Sequence, residues 1–413
     1  MKIKIRKRYL FFVLAFSSSI IAALVAGIDT VAGKLFDNFW ALSFSCFILA
    51  LIISLLVSLF LSIPIGDKSL GSRTIDPTFK RIRLIKREEL FYHVLAGLGN
   101  ASMTLGYFAL LSFFADPSVV LPFSQIAILY LVIAESITEK DTPTLVEVQS
   151  AVIVTFGAIL GSISLSGNIS LEAFAIVFLV VNPGWMIFSI FQRRLKRMKI
   201  DNKSNDAINI RLWNVIFALL FTSIFVLIYD IFYGSNNLYK GLQASVDYFG
   251  WMALIAIGTF FSFVFYIRAL GIGKASVTQA VKASVIIFSI PVTLVLSYFG
   301  ISSFTTDPVL LLIKIIGVSL ILLGIISFAL TLVKAYVFIR IKPGYSIEDT
   351  MDKIWDIRGV NRVVATTGPY DIVAKIHTRT LVKGYENIIK KLEQIEGIGE
   401  YNWQSVLKEW EEI

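Results

Sequence analysis

The chain has 413 residues, of which 56% are hydrophobic and only 16% carry a charge, and its formal net charge is +9. A soluble domain carries charge on about a quarter of its residues, so this composition excludes an ordinary soluble protein and indicates a membrane protein. The single cysteine, Cys46, excludes a disulfide framework, and the two histidines, His93 and His377, do not have metal-ligand spacing. The sequence also has no catalytic triad and no phosphate-binding glycine loop, so we predict neither an enzyme nor a bound cofactor.

Ten apolar segments are long enough to be transmembrane helices, since about 20 apolar residues cross about 30 Å of hydrocarbon. The first follows a basic N-terminus and is too long for the apolar core of a cleavable signal peptide, so we predict that it remains as a helix. The predicted fold class is an α-helical multi-pass membrane domain with ten transmembrane helices. These helices cover approximately residues 10–30, 39–63, 91–114, 118–137, 146–165, 171–191, 212–232, 248–270, 275–299 and 308–333.

The distribution of positive charge predicts the orientation of these helices. If the N-terminus lies inside, the cytoplasmic segments carry most of the Lys and Arg residues, and the outer segments carry only Lys34 and Lys240. This asymmetry is what positive-inside insertion requires. We therefore predict a multi-pass protein of the cell membrane with cytoplasmic N- and C-termini. The basic loops 66–89 and 193–203 are then topology signals next to the lipid bilayer, and we expect no nucleic-acid partner.

Two stretches of the membrane part, 106–136 and 265–299, are similar to each other. In each, a tyrosine near the end of one apolar helix is followed by a turn with Ser-Val and by a long apolar helix with one glutamine. Because each half has five helices, an odd number, the two halves must have opposite topology, and such repeats alternate access around a site near the midplane. We predict a 5+5 inverted repeat, at about residues 8–167 and 168–333, within a domain of residues 1–334. The matching residues are Tyr107 and Tyr266, Ser118-Val119 and Ser276-Val277, and Gln125 and Gln279.

Polar residues inside apolar helices are costly, so they are candidate substrate-binding residues. Each also has an alternative interpretation, a hydrogen bond to a neighbouring helix that contributes about 1 kcal/mol. The Asn182-Pro183-Gly184 segment predicts a kink, because proline removes a helix hydrogen bond, and the kink would expose carbonyls beside Trp185. The candidates are Asn100, Tyr107, Gln125, Asn182, Trp185, Tyr266, Gln279 and Lys282.

Two charged residues need separate treatment. Lys282 lies roughly 10 Å from the cytoplasmic end of its predicted helix, so its ammonium either reaches the surface or faces a cavity, where it would pair with a substrate carboxylate. Asp29, in the outer third of the first helix, is a candidate site for proton or ion coupling. The alternative for Asp29 is capping of the helix or pairing with Lys34.

The composition of the sequence changes at Lys334, since the residues from there onward carry equal numbers of acidic and basic side chains. Strand and helix patterns follow in the order βαββαβ, which predicts an α+β ferredoxin-like domain over residues 335–413. Such a small domain leaves sheet edges and one sheet face uncovered, so we expect it to pair with a second copy. The predicted strands are 335–342, 361–367, 370–378 and 398–407, and the predicted helices are 346–358 and 381–395.

Four short patterns follow each other in the membrane part: Gly27 with Lys34, the helix pair from Tyr107 to Glu135, Trp185 with Arg193-Arg194, and Gly317 with Gly324. With this order, residues 8–333 resemble the drug/metabolite transporter superfamily, in its ten-helix, EamA-like branch. The resemblance implies a secondary transporter of small metabolites. Ile301 departs from the pattern, because the family has a glutamate there that matches Glu135, so the resemblance implies no symmetric role for that glutamate.

Three patterns in the tail are the strand from Ala335 to Gly344, the helix end Ile357–Val360, and Thr367-Gly368-Pro369-Tyr370-Asp371-Ile372. Through them the tail resembles the effector-binding domain of the Lrp/AsnC family of leucine-responsive regulators. The resemblance implies a homodimer through the C-terminal domain and an amino-acid effector bound near Gly368, Tyr370 and Asp371. The DNA-binding helix-turn-helix of that family is absent here, and membrane helices take its place.

Together these features predict a secondary transporter of small metabolites, with amino acids or related compounds as the small-molecule substrate and a cytoplasmic domain that senses amino acids or dimerises. No flexible linker separates the last predicted helix from the tail, so we expect effector binding to bias transport. The alternative is a membrane-bound metabolite sensor that does not itself transport. A tail that acts only as a dimerisation clamp also fits the sequence.

Overall fold

The computed structural model of this chain describes residues 7–36, 38–114, 117–138, 145–161, 171–200, 203–301, 308–330, 333–357, 359–378 and 388–405. The chain divides into two compact units. The larger unit contains Met1–Glu135 and Ala151–Gly324, and the smaller unit contains Ser136–Ser150 and Ile325–Ile413. Long helices dominate the larger unit, whereas the smaller unit carries a four-stranded sheet.

Seven helical segments among the described residues are long and apolar enough to cross a membrane. They coincide with the predicted helices one to three and six to nine, and they show that the chain has the helical, apolar character of a membrane protein. Predicted helices four, five and ten coincide with shorter apolar helices. A total of ten transmembrane helices therefore stays a prediction. The seven segments are Tyr9–Gly33, Phe39–Leu61, Arg87–Phe113, Leu171–Arg197, Ala207–Tyr233, Phe249–Ile272 and Ala275–Tyr298.

Short hairpins and short helices connect the long helices. The helices are α1 (Lys7–Gly33), α2 (Phe39–Leu61), α3 (Leu70–Thr74), α4 (Arg87–Phe114), α5 (Pro117–Phe123), α6 (Ala127–Thr138), α7 (Leu145–Gly161), α8 (Leu171–Ile176), α9 (Asn182–Arg197), α10 (Ala207–Tyr233), α11 (Asn237–Asp247), α12 (Phe249–Ile272), α13 (Ala275–Lys282), α14 (Val285–Tyr298) and α15 (Pro308–Leu330). The two hairpins pair β1 (Pro64–Ile65) with β2 (Lys68–Ser69), and β3 (Lys199–Ile200) with β4 (Lys203–Ser204).

Local sequence signals fix several helix ends. The side chain of Asn38 accepts a hydrogen bond from the Ala41 N–H at the start of α2, and Asp206 accepts one from the Asn209 N–H at the start of α10. Both are N-caps, which satisfy backbone donors that have no partner within the helix. Helix α10 ends at Gly234, whose φ of +62° is a left-handed conformation that glycine adopts without a Cβ penalty.

Proline residues coincide with irregular turns in two of the apolar segments. Pro122 has no N–H for the helix ladder and lies just before a 3-10 turn, Ser124–Ile126, that separates α5 from α6. A π-helical turn, Val177–Val181, joins α8 to α9 immediately before Asn182-Pro183. The helix is therefore irregular where the Asn182-Pro183-Gly184 segment predicts a kink.

A third interruption, between α13 and α14, contains no proline. Ser284 N donates to Val281 O, so the hydrogen bonds here span three residues instead of four. The hydroxyl of Ser19 in α1 donates to the carbonyl of Lys282 at 3.1 Å. A side chain from another helix thus takes up a carbonyl at the break, as the satisfaction of buried backbone polar groups requires. Pro291 lies inside α14 and not at this break.

Two facing glycines bring α4 and α9 close together. A Cβ added at Gly99 would lie 2.6 Å from Phe188 N, and one added at Gly184 would lie 2.8 Å from Met103 N. Any side chain at these positions would push the helices apart, as at other small-residue interfaces in membranes. Asn100 follows Gly99 in α4, and Trp185 follows Gly184 in α9.

A buried polar cluster joins the segment after α2 to the segment after α9. Lys196 Nζ donates to Asp76 Oδ2 at 2.7 Å, and the Ala207 N–H donates to the same oxygen at 2.8 Å. Burial acts to raise the pKa of Asp76, but the ammonium of Lys196 and the hydrogen bonds to the carboxylate outweigh it and hold this pKa below its usual value. The cluster continues through Glu89, which accepts hydrogen bonds from Arg83 and Asn205.

The smaller unit contains an antiparallel sheet in the order β6-β7-β5-β8, which is the strand order of a βαββαβ ferredoxin-like fold. Its core includes Val337 and Ile339 of the central strand. Residues 388–393 are helical, as predicted, whereas 381–387 of the predicted last helix lie outside the described residues. The elements are β5 (Val333–Ile341), α16 (Ile347–Trp355), β6 (Val360–Ala365), β7 (Ile372–Thr378) and β8 (Ile398–Ser405).

Candidate functional site

A cavity of about 150 Å³ lies inside the larger unit, bordered mainly by α1, α2, α4, α9, α10, α12 and α13. Its wall is mostly apolar, so its few polar and charged groups stand out. Side chains at two of the helix interruptions, Ser124 and Lys282, are part of this wall. Five of the predicted site residues line the cavity, and Arg211 joins them. The five are Asp29, Asn100, Tyr107, Trp185 and Lys282.

The ammonium of Lys282 is enclosed by aromatic rings. Its Nζ lies 4.0 Å from the centroid of the Trp185 ring, 4.4 Å from that of Tyr266 and 5.1 Å from that of Phe263. Ring faces attract a cation, and they hold it more effectively where water is excluded. Lys282 is 5% exposed, so its side chain faces the cavity and does not extend to the surface.

Arg211 is a second buried cation in the same wall and is only 1% exposed. Its guanidinium carbon lies 4.5 Å from the centroid of the Phe263 ring, the ring that also contacts Lys282. Its Nη1 donates to Asn214 Oδ1 at 3.4 Å, and that same oxygen accepts from Asn100 Nδ2 at 2.7 Å. Two helices, α4 and α10, therefore orient the guanidinium together.

Asp29 in α1 is the acidic residue of the cavity wall, and it is 5% exposed. Tyr107 and Cys46 are its neighbours. Its Oδ1 has no hydrogen-bond partner among the residues that the structure describes. The ammonium of Lys34 instead donates to the carbonyl of Ile301, so the structure does not pair Asp29 with Lys34. The carboxyl is thus available to a cation or a proton in the cavity.

Three other predicted site residues form a chain of hydrogen bonds behind the cavity. Gln279 Nε2 donates to Gln125 Oε1 at 3.2 Å, and the Tyr266 hydroxyl donates to Gln279 Oε1 at 2.9 Å. Ser189 lies 2.8 Å from the same hydroxyl. All four side chains are shielded from solvent. The structure therefore gives these polar groups the alternative interpretation, hydrogen bonds between neighbouring helices. Tyr266 nevertheless reaches the site through its ring, which contacts Lys282.

The side chain of Asn182 forms hydrogen bonds with backbone carbonyls. Its Nδ2 donates to Val177 O at 2.8 Å and to Phe123 O at 3.1 Å. These carbonyls lie at the π-helical turn and at the end of α5, so Asn182 stabilises two interruptions at once. The residue does not line the cavity, and a role in binding substrate stays a prediction.

Glu135 connects three helices at one end of the bundle. Its Oε1 accepts a hydrogen bond from the Ala275 N–H at 2.6 Å, and its Oε2 accepts one from the Ser276 hydroxyl at 2.5 Å. Arg193 Nη1 lies 3.6 Å from Oε1, and Arg193 Nε donates to Gly273 O at 2.9 Å. A carboxylate at a helix N-terminus also interacts favourably with the helix dipole, so Glu135 fixes the start of α13, the helix that carries Lys282.

The predicted effector residues of the tail lie together at the turn between β6 and β7. Asp371 Oδ2 accepts a hydrogen bond from the Ile341 N–H at 2.7 Å, which gives this carboxylate a structural role. The ring of Tyr370 packs 5.5 Å from that of Phe338, and Gly368 is exposed. Arg340 Nη2 donates to the carbonyl of Pro369 at 2.9 Å. An effector role for these residues stays a prediction.

Sequence reasoning did not identify Arg211 as a site residue, because a basic residue just before an apolar segment is typical of a topology signal. The structure places it in the second turn of α10, fully buried. One available signal was its spacing from Asn214, since residues three apart lie on the same helix face.

Comparison with known proteins gives a match for the tail. Residues 334–412 match the Lrp/AsnC ligand binding domain family. A search of curated proteins finds no significant match. Among solved structures, one titled only "Crystal structure of protein" is 14% identical, with a TM-score of 0.47, and the alignment covers 78% of this chain and 96% of the other. The C-terminal part of this chain is therefore an Lrp/AsnC ligand binding domain that follows a helical, apolar region.

Proposed function

We propose that this protein is a secondary transporter of small metabolites, with amino acids or related compounds as cargo, and that its Lrp/AsnC domain is a cytoplasmic amino-acid sensor or dimerisation domain. The observation that carries the proposal is the cavity of the larger unit. Its wall carries Lys282, Arg211 and Asp29 among mostly apolar residues. Ionisable residues in such a position are expensive, and in membrane proteins they mark substrate and ion pathways.

The interrupted helices support a transport function. Substrate sites of secondary transporters are commonly formed by discontinuous helices, because unwound backbone is tolerated at membrane depth only where it lines a cavity. Here the cavity wall includes Ser124 in the 3-10 turn and Lys282 at the end of α13. The proposal includes ten transmembrane helices in a 5+5 inverted repeat of the EamA-like type, in which Asp29 couples transport to a proton or cation.

The Lrp/AsnC domain supports the choice of amino acids as the first cargo to test. A domain of this family suggests a small-molecule ligand and a homodimer. A cytoplasmic effector would regulate transport if it bound more tightly in one transport state than in the other. With the N- and C-termini inside, this domain would sample the cytoplasmic concentration of the cargo or of a related compound.

The test is counterflow with the purified full-length protein in proteoliposomes. Vesicles preloaded with each unlabelled amino acid are assayed for uptake of the same labelled compound, and empty vesicles are the control. We expect at least one amino acid to exchange well above the control. If no amino acid exchanges but one of them still stabilises the protein, the alternative of a membrane-bound sensor is supported and transport of amino acids is rejected.

A further inference from the structure

The cavity wall contains two buried cations that have no acidic partner among the residues that the structure describes. Lys282 is 5% exposed and Arg211 is 1% exposed. Neither forms a salt bridge within the part of the chain that the structure describes, whose salt bridges involve other residues. The Nε of Arg211 is buried without a hydrogen-bond partner there. A buried charge without a counter-ion is strongly unfavourable, so this pair requires an explanation.

Aromatic rings explain how the cations are tolerated, but not how their charge is balanced. Phe263 contacts both cations, and Trp185 adds the shortest ring contact to the ammonium, at 4.0 Å. A ring face attracts a cation through its quadrupole, yet it carries no net charge. Phe263 therefore holds both cations side by side in the wall of a mostly apolar cavity, and no ring supplies the negative charge that would balance them. An anionic ligand would supply it.

The charges in the wall indicate what kind of anion fits. The cavity wall includes two basic residues, Lys282 and Arg211, and one acidic residue, Asp29. When Asp29 is ionised and both bases are protonated, the wall carries one excess positive charge. A monoanionic group balances that excess, whereas a phosphate dianion would leave the cavity negative. Arginine also presents donors in a planar fork that matches a carboxylate, and lysine adds a point charge.

We propose, on the basis of the proposed transport function, that Arg211 and Lys282 together bind a carboxylate group of the cargo. Cargo recognition then requires the free acid group, and amides or esters of the same compound are rejected. In the absence of cargo the rings of Trp185, Tyr266 and Phe263 hold Lys282 in place. Binding of a carboxylate completes the coordination of both cations, which is the differential contact that a transport cycle can use.

The test measures ligand-dependent thermal stabilisation of the purified full-length protein, since a ligand bound only by the folded state stabilises it by mass action. The probes are the twenty amino acids, the carboxamide of each amino acid that stabilises, and inorganic phosphate. The variants are Lys282→Met, Arg211→Met and Arg211→Lys. Lys68→Met is the matched control, because Lys68 is an exposed lysine in β2, away from the cavity. A ligand bound at the tail would stabilise all variants equally.

We expect the acid to bind at least tenfold more tightly than its carboxamide, and Lys282→Met to lose at least tenfold in affinity while Lys68→Met binds like the wild type. Arg211→Lys, which keeps the charge, should bind better than Arg211→Met. If Arg211→Met does not fold, the affinities of Lys282→Met and Arg211→Lys for the acid still test the proposal. Carboxamides or phosphate that bind as well as the acid, unchanged affinity in Lys282→Met, or no stabilisation by any amino acid would overturn the proposal. Binding with these properties but without counterflow would reject transport alone.

Discussion

Gln279 Nε2 donates to Gln125 Oε1 at 3.2 Å, although the two residues are separated by 154 positions in the chain. These are the glutamines of the two similar stretches, 106–136 and 265–299. The hydrogen bond joins the 3-10 turn after α5 to α13, and the Tyr266 hydroxyl extends it at 2.9 Å. The two interrupted segments are therefore connected directly, behind the wall of the cavity.

Replacement of Gln279 by Leu should reveal this connection. The change leaves Gln125 Oε1 and the Tyr266 hydroxyl without this partner, and buried polar groups left in that way cost about 1–3 kcal/mol. A double-mutant cycle with Gln125→Leu should give a coupling of about 0.5–1.5 kcal/mol in the free energy of unfolding. Additive effects of the two substitutions would show that the hydrogen bond contributes nothing.

Glu135 should be among the most sensitive polar residues of the larger unit. Its carboxylate accepts from the Ala275 N–H and the Ser276 hydroxyl and lies near Arg193. Glu135→Leu leaves Arg193 without this anion and should lower the free energy of unfolding by about 3–5 kcal/mol. Glu135→Gln keeps one acceptor oxygen, so its loss should be smaller. Thermal or denaturant unfolding of both variants in detergent measures the difference, and equal losses would contradict a role of the charge.

The hydrogen bonds of Glu135 differ from the hydrogen bond that Lys34 forms. Ile301 is the position where the sequence resemblance predicts a glutamate that matches Glu135. Among the residues that the structure describes, the Lys34 ammonium donates to the backbone carbonyl of Ile301. Lys34→Met should therefore cost less stability than Glu135→Leu, by at least about 1 kcal/mol, because a hydrogen bond to a neutral carbonyl replaces the charged cap. Equal effects would show that both ends are held equally.

Trp185 should affect recognition by its ring face. The Lys282 ammonium lies 4.0 Å from the ring centroid, and a desolvated cation–π contact contributes about 2 kcal/mol. Trp185→Phe keeps a ring and should change the apparent affinity for cargo only a few-fold, whereas Trp185→Leu should weaken it about tenfold. Concentration-dependent uptake in proteoliposomes measures both. Similar affinities for Phe and Leu would exclude the ring contact as the cause.

Asp76 predicts a dependence of stability on pH. Lys196 and the hydrogen bonds to the carboxylate hold its pKa below the ordinary value of 3.8 in the folded protein. The stabilisation is therefore fully present above pH 3.8 and is lost as the pH falls through the lower folded-state pKa. Asp76→Asn should be less stable than the wild type at pH 7, and the difference should shrink as the pH falls below 3.8. A constant difference would contradict the ion pair with Lys196.

The sequence alone predicted much of this fold, and the reasons are physical. Long apolar segments must be helices because the backbone has to satisfy its own hydrogen bonds in lipid, and all seven long apolar helices lie where the composition predicts them. The tail was predictable because its strand and turn signals are local, and the sheet order follows from the βαββαβ pattern.

The site was only partly predictable, because membership of a cavity depends on how helices pack. Lys282 and Trp185 could be nominated as polar or kink-associated residues, but nothing local shows that they contact each other. Their contact joins α9 to the end of α13, just before the break where Ser19 of α1 donates to the Lys282 carbonyl. Sequence reasoning missed Arg211 because a basic residue at the start of an apolar segment can be either a topology signal or a buried site residue. Only the packing of the helices distinguishes the two.

The most direct measurement is amino-acid counterflow by Lys282→Met beside Lys68→Met, at equal protein density in proteoliposomes. If Lys282 binds cargo in the cavity, Lys282→Met loses nearly all exchange at low substrate concentration while Lys68→Met exchanges like the wild type. Exchange by Lys282→Met at the rate of Lys68→Met would contradict the assignment of this cavity as the transport site.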